Sequence, residues 1–486
     1  MNPDTPLLTQ TLPEHSAQDP TLIRAVLQSR LKELDRKIIV LDDDPTGMQA
    51  VHGVSIYTDW DISAIRQGFA EKGEMFFVLT NSRSFTRARA EQVHREIARN
   101  IVAVSRECGR KYIIISRSDS TLRGHYPYET EALRQEMEQL TGQKIDGEII
   151  VPFFSEGGRI TMDNVHYVKD GDSFVPVSGT EFARDTLFPY TSSHLGEWCE
   201  EKTNGHYKAA DMIYITLESL RHFSTKQIVW QLEQAADFNK IIVNAVDYSD
   251  LETFLCAYSV AVGRGKTFLF RSAASLTKAL GGIPDKPLLR RVQLIQGLHS
   301  NGGLVVVASP SEKTTLQLEM LHLSRLPVLF IEFNQHLVED TPGQLEKELE
   351  RVIVLTENGI ANGHTVVLHT RRKRVDAGQS VHESQLILHS KISKAITQIV
   401  SSIHTPPAFL LAKGGTTASD VISGALNINR VSVMGQISPG VPVWMTGVGC
   451  RFPDMPFIIF PGNVGDETTL RDVVAKLLEP PERDNL

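Results

Sequence analysis

Three consecutive carboxylates, Asp42, Asp43 and Asp44, end the apolar run Lys37-Ile38-Ile39-Val40-Leu41 and lead directly into the turn residues Pro45, Thr46 and Gly47. Like charges this close repel, so they persist together where cations, hydrogen-bond donors or a substrate hydroxyl compensate them. Two more polar clusters arise in the same way. The apolar stretch 75–80 runs into Asn81, Ser82, Arg83 and Ser84, and the stretch 111–116 runs into Arg117, Ser118, Asp119, Ser120, Thr121, Leu122 and Arg123. Guanidinium groups such as Arg83, Arg117 or Arg123 grip a carboxylate in two-pronged fashion, Asp and Ser take sugar hydroxyls, and an aspartate left over can act as a base. That chemistry suits a small, hydroxylated carboxylic acid. Helix caps and surface ion pairs explain any one of these residues, but fit three successive clusters less well.

These residues need a sheet to gather them. Ile38 to Leu41 is apolar at every position, the pattern of a strand buried on both faces of a parallel α/β sheet, and ligands sit at the carboxyl ends of such strands. Further strands are expected at 54–58, 75–80, 111–116, 147–151, 213–215, 240–245 and 267–272, with helices such as 86–108 between them. Strand 147–151 leads to Gly157, Gly158 and Arg159: the glycine pair lets backbone approach a ligand, and Arg159 adds a fourth cation. A turn-rich hairpin over 167–177 is a lid or decoration, with decoration the favoured reading of the turn itself, and 20–36 reads as a helix after a loose polar arm.

The second half repeats the pattern. Breakers concentrate between 281 and 301, where a domain boundary is expected. Strand 303–308 leads to Ser309 and Ser311 at a helix start, an anion site unless the serines merely cap. Strands at 328–332 and 365–370 and a long helix over 387–403 follow. Strand 409–412 then leads through Lys413 to Gly414, Gly415, Thr416 and Thr417 and a helix through Ala425. Two glycines let amides approach a phosphate, and the hydroxyls can cap, bind phosphate or meet magnesium. It is not a Walker loop, because the Gly-x-x-x-x-Gly-Lys spacing is absent. Gly440, and Gly462 with Asn463 after strand 457–460, either shape a nucleotide pocket or make tight turns.

Composition narrows the partners. In 486 residues, 41% hydrophobic, the formal net charge of -8 provides no global basic field, which disfavours nucleic acid or an anionic membrane as main partner. The scattered Cys108, Cys199, Cys256 and Cys450 show no Cys-x-x-Cys spacing and read as reduced thiols, not a zinc site or disulfide frame. With no leader pattern and no apolar run of membrane-spanning length, the cytoplasm is the expected location.

Taken in order, the motifs resemble the four-carbon acid sugar kinases, once grouped as domain of unknown function 1537. The matching residues are Asp43-Asp44-Pro45-Thr46-Gly47, Asn81-Ser82-Arg83, Asp119-Ser120-Thr121-Leu122-Arg123-Gly124, Gly158-Arg159, Arg271-Ser272-Ala273-Ala274-Ser275, the stretch 309–317, Gly414-Gly415-Thr416-Thr417 and Pro461-Gly462-Asn463. The resemblance implies two α/β domains, each a mostly parallel sheet flanked by helices, with the active site in the cleft between them. The expected division is an arm and helix over 1–36, an acid-sugar domain over 37–285, a linker over 286–300 and a nucleotide domain over 301–486. It implies that ATP, with Mg²⁺, phosphorylates the terminal hydroxyl of an acid such as threonate, erythronate, 3-oxo-tetronate or the branched 3-oxo-isoapionate. By the same resemblance Asp43 or Asp44 is the base or hydroxyl ligand, Arg83, Asp119, Ser120 and Arg123 bind the acid, and Ser309, Ser311, Gly414, Gly415, Thr416, Thr417 and Gly462 line the ATP site. The reading of the residues adds Asn81, Ser82, Arg117 and Arg159 to the first site and Gly440 and Asn463 to the second, names no protein metal ligand, and leaves self-association open.

Two departures point to a different substrate within the family. Many relatives carry Lys where Arg117 stands and an acidic residue where Thr416 stands, and the segment 161–203 is longer than in compact relatives. A non-catalytic sensor of acid sugar and ATP is the rival reading, supported by Thr416. A nicotinamide dehydrogenase ranks last, because no strand is followed by Gly-x-Gly-x-x-Gly.

Overall fold

The structure, a computed structural model, describes residues 5–8, 12, 19–295, 300–309, 311–339, 343–372, 382–462 and 464–479, without the side chains of 382–387, 389 and 423. The chain forms two units, Met1–Asp285 and Lys286–Leu486, both α/β.

The first unit is built on the strand Lys37–Asp42, whose six residues are all buried. An unbroken apolar run needs a neighbour on each side and cover on each face, and it has parallel partners in Met75–Leu79 and Tyr112–Arg117. Among the described residues eight parallel strands stand in the order Ile213–Ile215, Asn239–Val243, Gly147–Val151, Phe268–Ser272, Tyr112–Arg117, Lys37–Asp42, Met75–Leu79 and Ser55–Tyr57. After Lys37–Asp42 the chain winds first to one side, through Ser55–Tyr57 and Met75–Leu79, and then to the other, from Tyr112–Arg117 onward. The carboxyl end of Lys37–Asp42 is therefore a topological switch point, where open α/β sheets leave a crevice.

Helices cover the sheet by the usual spacing. Arg87–Cys108 buries Ala90, Val93, Ile97, Ala98 and Ile101 on one face, starts where the Thr86 hydroxyl accepts from the Arg89 N–H, and stops at Gly109 with φ 68°. That face joins Ile39, Leu41, Phe76 and Ile114 in one core. The helix Pro20–Leu34, expected to stand apart with the arm, belongs to this unit: Arg24 meets Glu252 at 2.9 Å, and Ile23 and Leu27 are buried.

The hairpin expected over 167–177 is present as Val165–Asp170 and Ser173–Pro176, within a small antiparallel sheet that also holds Arg159–Met162 and Leu7–Leu8. The turn itself, 169–172, is exposed, as decoration would be, whereas the strand before it reaches the site loop. The buried ring of His166 reaches the Ser120 carbonyl with Nε2 at 2.8 Å and Thr161 Oγ1 with Nδ1 at 2.9 Å. A carbonyl only accepts, so Nε2 carries the proton. Burial lowers the imidazole pKa to about 4 and keeps it neutral.

In the second unit Leu410–Lys413 pairs in parallel with Leu304–Val307 and Pro456–Phe460, and Thr365–Thr370 and Val328–Phe333 continue the sheet. The strands Arg430–Ser438 and Val441–Thr446 were not foreseen. They form an antiparallel hairpin that pairs onward with Pro456–Phe460. The expected linker also differs, because Leu289, Leu294 and Ile295 are buried in this unit's core; their apolar area is worth more inside than in a solvated tether. Among the described residues no helix is long and apolar enough to cross a membrane, and all four cysteines are free thiols.

Phe76 is fully buried in the first core, edge-on to Tyr57 and Phe69, and Gly68 leaves room for its ring. Phe76→Ala is expected to cost about 3–5 kcal/mol, read as a lower midpoint in chemical denaturation of the full chain.

Candidate functional site

At the switch point the three carboxylates are compensated in three different ways. Asp42, with no exposure, accepts from Arg117 Nη1 at 3.0 Å and from the Asp44 N–H at 3.2 Å, and its Oδ2 has no hydrogen-bond partner. Burial pushes its pKa up to about 7 against the pull of Arg117. Asp43 is held on both oxygens: Arg83 Nη2 donates to Oδ1 at 2.7 Å, Arg83 Nε to Oδ2 at 3.1 Å, and Ser118 Oγ to Oδ2 at 2.6 Å. Burial would raise its pKa, but Arg83, Arg117 and Ser118 together hold it below the ordinary carboxylate range. Asp44 spends Oδ1 on the Thr46 N–H at 2.8 Å and hydroxyl at 2.5 Å, while Oδ2 has one long contact, 3.4 Å from Arg83 Nη1. Its side chain keeps 18% exposure against 3% for Asp43.

The neighbouring loops bring the other expected residues together, though not all in the expected roles. Asp119 takes Arg123 Nε at 2.6 Å and the Thr121 hydroxyl; burial opposes its charge, but Arg123 and Arg83 hold its pKa far below the ordinary range. Arg123 also reaches Asp185 at 3.5 Å. Ser120 is buried and presents its carbonyl to His166. Asn81 sits at φ 52° and donates to Ser84 Oγ. Ser82, expected to touch the acid, is fully buried and donates to Glu129 at 2.5 Å, so it anchors the loop instead. Arg117, expected as a free grip, is neutralised by Asp42 and lies 3.8 Å from Asp43.

Beside this cluster, Arg159 and Arg271 have no carboxylate within ion-pair distance among the described residues. Arg159 donates through Nη1 to the Gly157 carbonyl, its buried Nε has no partner, and burial lowers its pKa. Arg271 is buried, gives Nη2 to the Arg123 carbonyl at 3.1 Å, and leaves Nε without a partner. Asp42, Ser118 and Arg271 are named in the sequence analysis but given no individual role there. Each lies within or beside a motif already singled out, at the carboxyl end of a buried strand.

In the second unit the carboxyl ends of three adjacent parallel strands carry the expected turn. Gly414 adopts φ 110° ahead of the short helix Gly415–Asp420, which has no side-chain cap; the N–H groups of Gly415, Thr416 and Thr417 have no partner among the described residues. A Cβ at Gly414 would stand 3.6 Å from both Ser309 Cβ and Thr417 Oγ1, and nothing lies within 4 Å of one at Gly462. Open space and free donors fit a phosphate-bearing ligand. Ser309 lies beside them, with Arg372 Nη1 on its carbonyl at 2.8 Å. Ser311 acts as a cap, accepting from the Thr314 N–H of the helix Glu312–Leu323. Thr416 is exposed. Gly440 is a hairpin turn at φ 75° packed on Val464, and Asn463 lies outside the described residues. Lys413 was not singled out: fully buried, it donates to the Pro461 carbonyl at 2.8 Å and to that of Gly462 at 3.4 Å.

Comparison with known proteins accords with both halves. A family model described as "Sugar-binding N-terminal domain" matches residues 38–280, and one described as "Nucleotide-binding C-terminal domain" matches 304–470. The chain belongs to this two-domain family, the four-carbon acid sugar kinase family formerly called domain of unknown function 1537. No curated protein matches it. Among solved structures, Haemophilus influenzae protein HI1011 is similar at 16% identity with a TM-score of 0.59, over 90% of this chain and 100% of that one. A Salmonella typhimurium LT2 protein named as a candidate tRNA synthase is similar at 14% identity with a TM-score of 0.65, over 90% and 98%. At such identities these likenesses speak for the fold.

Two measurements probe this geometry. A Cβ on Gly47 would overlap the Asp42 carboxylate and the Arg117 guanidinium, so Gly47→Ala is expected to cost about 1–3 kcal/mol in denaturant unfolding. Burial, then Lys313, lowers the Lys413 pKa from 10.5 to about 7. Between those values the unfolded chain binds a proton that the folded one does not, so stability rises with pH by about 1.4 kcal/mol per unit and is flat below. Lys413→Met should remove that slope from stability curves measured across pH 7 and above; an unchanged slope would contradict the assignment.

Proposed function

We propose that the protein transfers the terminal phosphoryl group of ATP to a hydroxyl of a small sugar acid. The observation that carries this reading is the contrast between Asp43 and Asp44, set beside unpaired arginines in a chain with a sugar-binding and a nucleotide-binding domain. Asp43, saturated by donors and held ionised, orients Arg83 and Ser118. Asp44 keeps one oxygen nearly free at the crevice, and that oxygen accepts the proton of the attacking hydroxyl.

ATP supplies the phosphoryl group, and Mg²⁺ offsets the charge of its phosphates. The free N–H groups after Gly414 would receive phosphate oxygens. Because Mg²⁺ takes most of its ligands from phosphates and water, the Thr416 and Thr417 hydroxyls suffice as protein oxygens even without an acidic residue at 416. Arg372 adds positive charge beside the turn, and Lys413 braces the strand ends beneath it. A four-carbon acid such as threonate, erythronate or 3-oxo-tetronate, or a branched relative such as 3-oxo-isoapionate, is the substrate class, and the ATP-rich cytoplasm is the matching location.

The test is a coupled ADP-release assay with Mg-ATP against those acids. Turnover on one of them, reduced about 10²- to 10⁴-fold in Asp44→Asn, is expected. Asparagine preserves the Oδ1 contacts with Thr46, so loss without unfolding isolates the proton-accepting oxygen. Full activity in Asp44→Asn would overturn its role, and no turnover on any acid would overturn the kinase reading.

A further inference from the structure

The arginines of the first unit are not equivalent. Arg83 is neutralised by Asp43 and Asp44, Arg117 by Asp42, and Arg123 by Asp119 and Asp185. Arg159 and Arg271 have no carboxylate within ion-pair distance among the described residues, and the Nε of each is buried without an acceptor, as is that of Arg117, whose charge Asp42 meets. Ser272, next to Arg271, likewise has a buried hydroxyl without a partner. A buried guanidinium with an unmet donor is costly unless an anion completes it.

Topology brings the two arginines to the same edge. Gly147–Val151 and Phe268–Ser272 are adjacent parallel strands with Val151 opposite Ser272. The segment after the first strand returns as Arg159, its Ser155 N–H donating to Ser275 Oγ at 3.1 Å in the helix after the second. Arg271 Nη2 holds the Arg123 carbonyl and lies 3.5 Å from a Cβ built on Gly124, which would itself be 3.3 Å from Asp43 Oδ2.

We infer that Arg159 and Arg271 form the clamp for the substrate's carboxylate, while Arg83, Arg117 and Arg123 serve to fix the aspartates. The inference rests on the acid-sugar reading above and goes beyond it: specificity for an acid over its neutral counterpart resides in two residues away from the aspartate row. The carboxylate is held at the Arg159 and Arg271 side of the crevice, and the far hydroxyl is left to Asp44.

The experiment compares binding of threonate, erythronate and 3-oxo-tetronate with that of their neutral amides by calorimetry, in the wild-type chain and in Arg159→Gln and Arg271→Gln. The wild type should prefer an acid to its amide, and each variant should lose about 10- to 100-fold of that preference, with amide and ATP affinities unchanged. A purely structural role would weaken acid and amide alike. Arg271→Lys, which keeps the charge but not the fork, should retain an intermediate preference and serves if Arg271→Gln does not fold. An acid preference that survives in the Arg159 and Arg271 variants overturns the clamp alone. A wild type that binds none of the acids overturns the acid-sugar reading and the clamp with it.

Discussion

Compensation of three carboxylates at the end of one fully buried strand is the constraint around which the first unit is arranged. A buried charge is tolerated only when paired and hydrogen-bonded, and Asp42 and Asp43 are both buried. The partners cannot come from the same strand. They arrive from the two flanking strands, Arg83 after Met75–Leu79 and Arg117 and Ser118 after Tyr112–Arg117. Sheet order and charge pairing are thus one requirement seen twice: had either neighbour stood elsewhere, an aspartate would be buried without its donor.

The second unit meets a related problem with fewer charges. Its turn is built from glycines, so backbone N–H groups rather than side chains face the open space, and the fixed element beneath them is Lys413. Pinned to the Pro461 and Gly462 carbonyls, it ties the ends of two adjacent strands beneath the place where free amides gather. One domain organises around carboxylates held by arginines and the other around amides backed by a lysine, a division suited to an acid-bearing ligand in the first and a phosphate-bearing one in the second.

The sequence made the strands legible wherever burial on both faces removes alternation: 38–41, 75–79 and 147–151 read correctly for that reason. Arg430–Ser438 was not legible although Val431, Val433, Gly435 and Ile437 are buried in strict alternation, because the intervening positions include Met434 and a glycine stands at 435, which blurs the apolar-polar pattern. The clustering of Asp43, Arg83 and the 117–123 loop was legible from three strand ends. Which arginine is spent on which aspartate was not, since pairing across a sheet depends on register and side-chain reach, and composition carries neither. Ser82 illustrates the limit: its type and position match a binding residue, yet one residue of loop geometry turns it inward to Glu129.

The segment 161–203 takes on a physical meaning in the same terms. His166 holds the Ser120 carbonyl at 2.8 Å, Tyr190 donates to the Thr121 carbonyl at 2.8 Å, and Asp185 reaches Arg123 at 3.5 Å. Successive residues of one loop are thereby held from outside by one segment, through backbone carbonyls and one charge. Neutral His166, with its pKa lowered by burial to about 4, makes the first contact insensitive to pH across the physiological range. A loop fixed in this way needs no change at the strand ends to alter the outline of the crevice: altering the length or packing of the segment moves Ser120 and Arg123 while the aspartate row, bound by its own arginines, stays in place. The sheet sets what chemistry the crevice can do, and the segment packed behind the loop sets its shape.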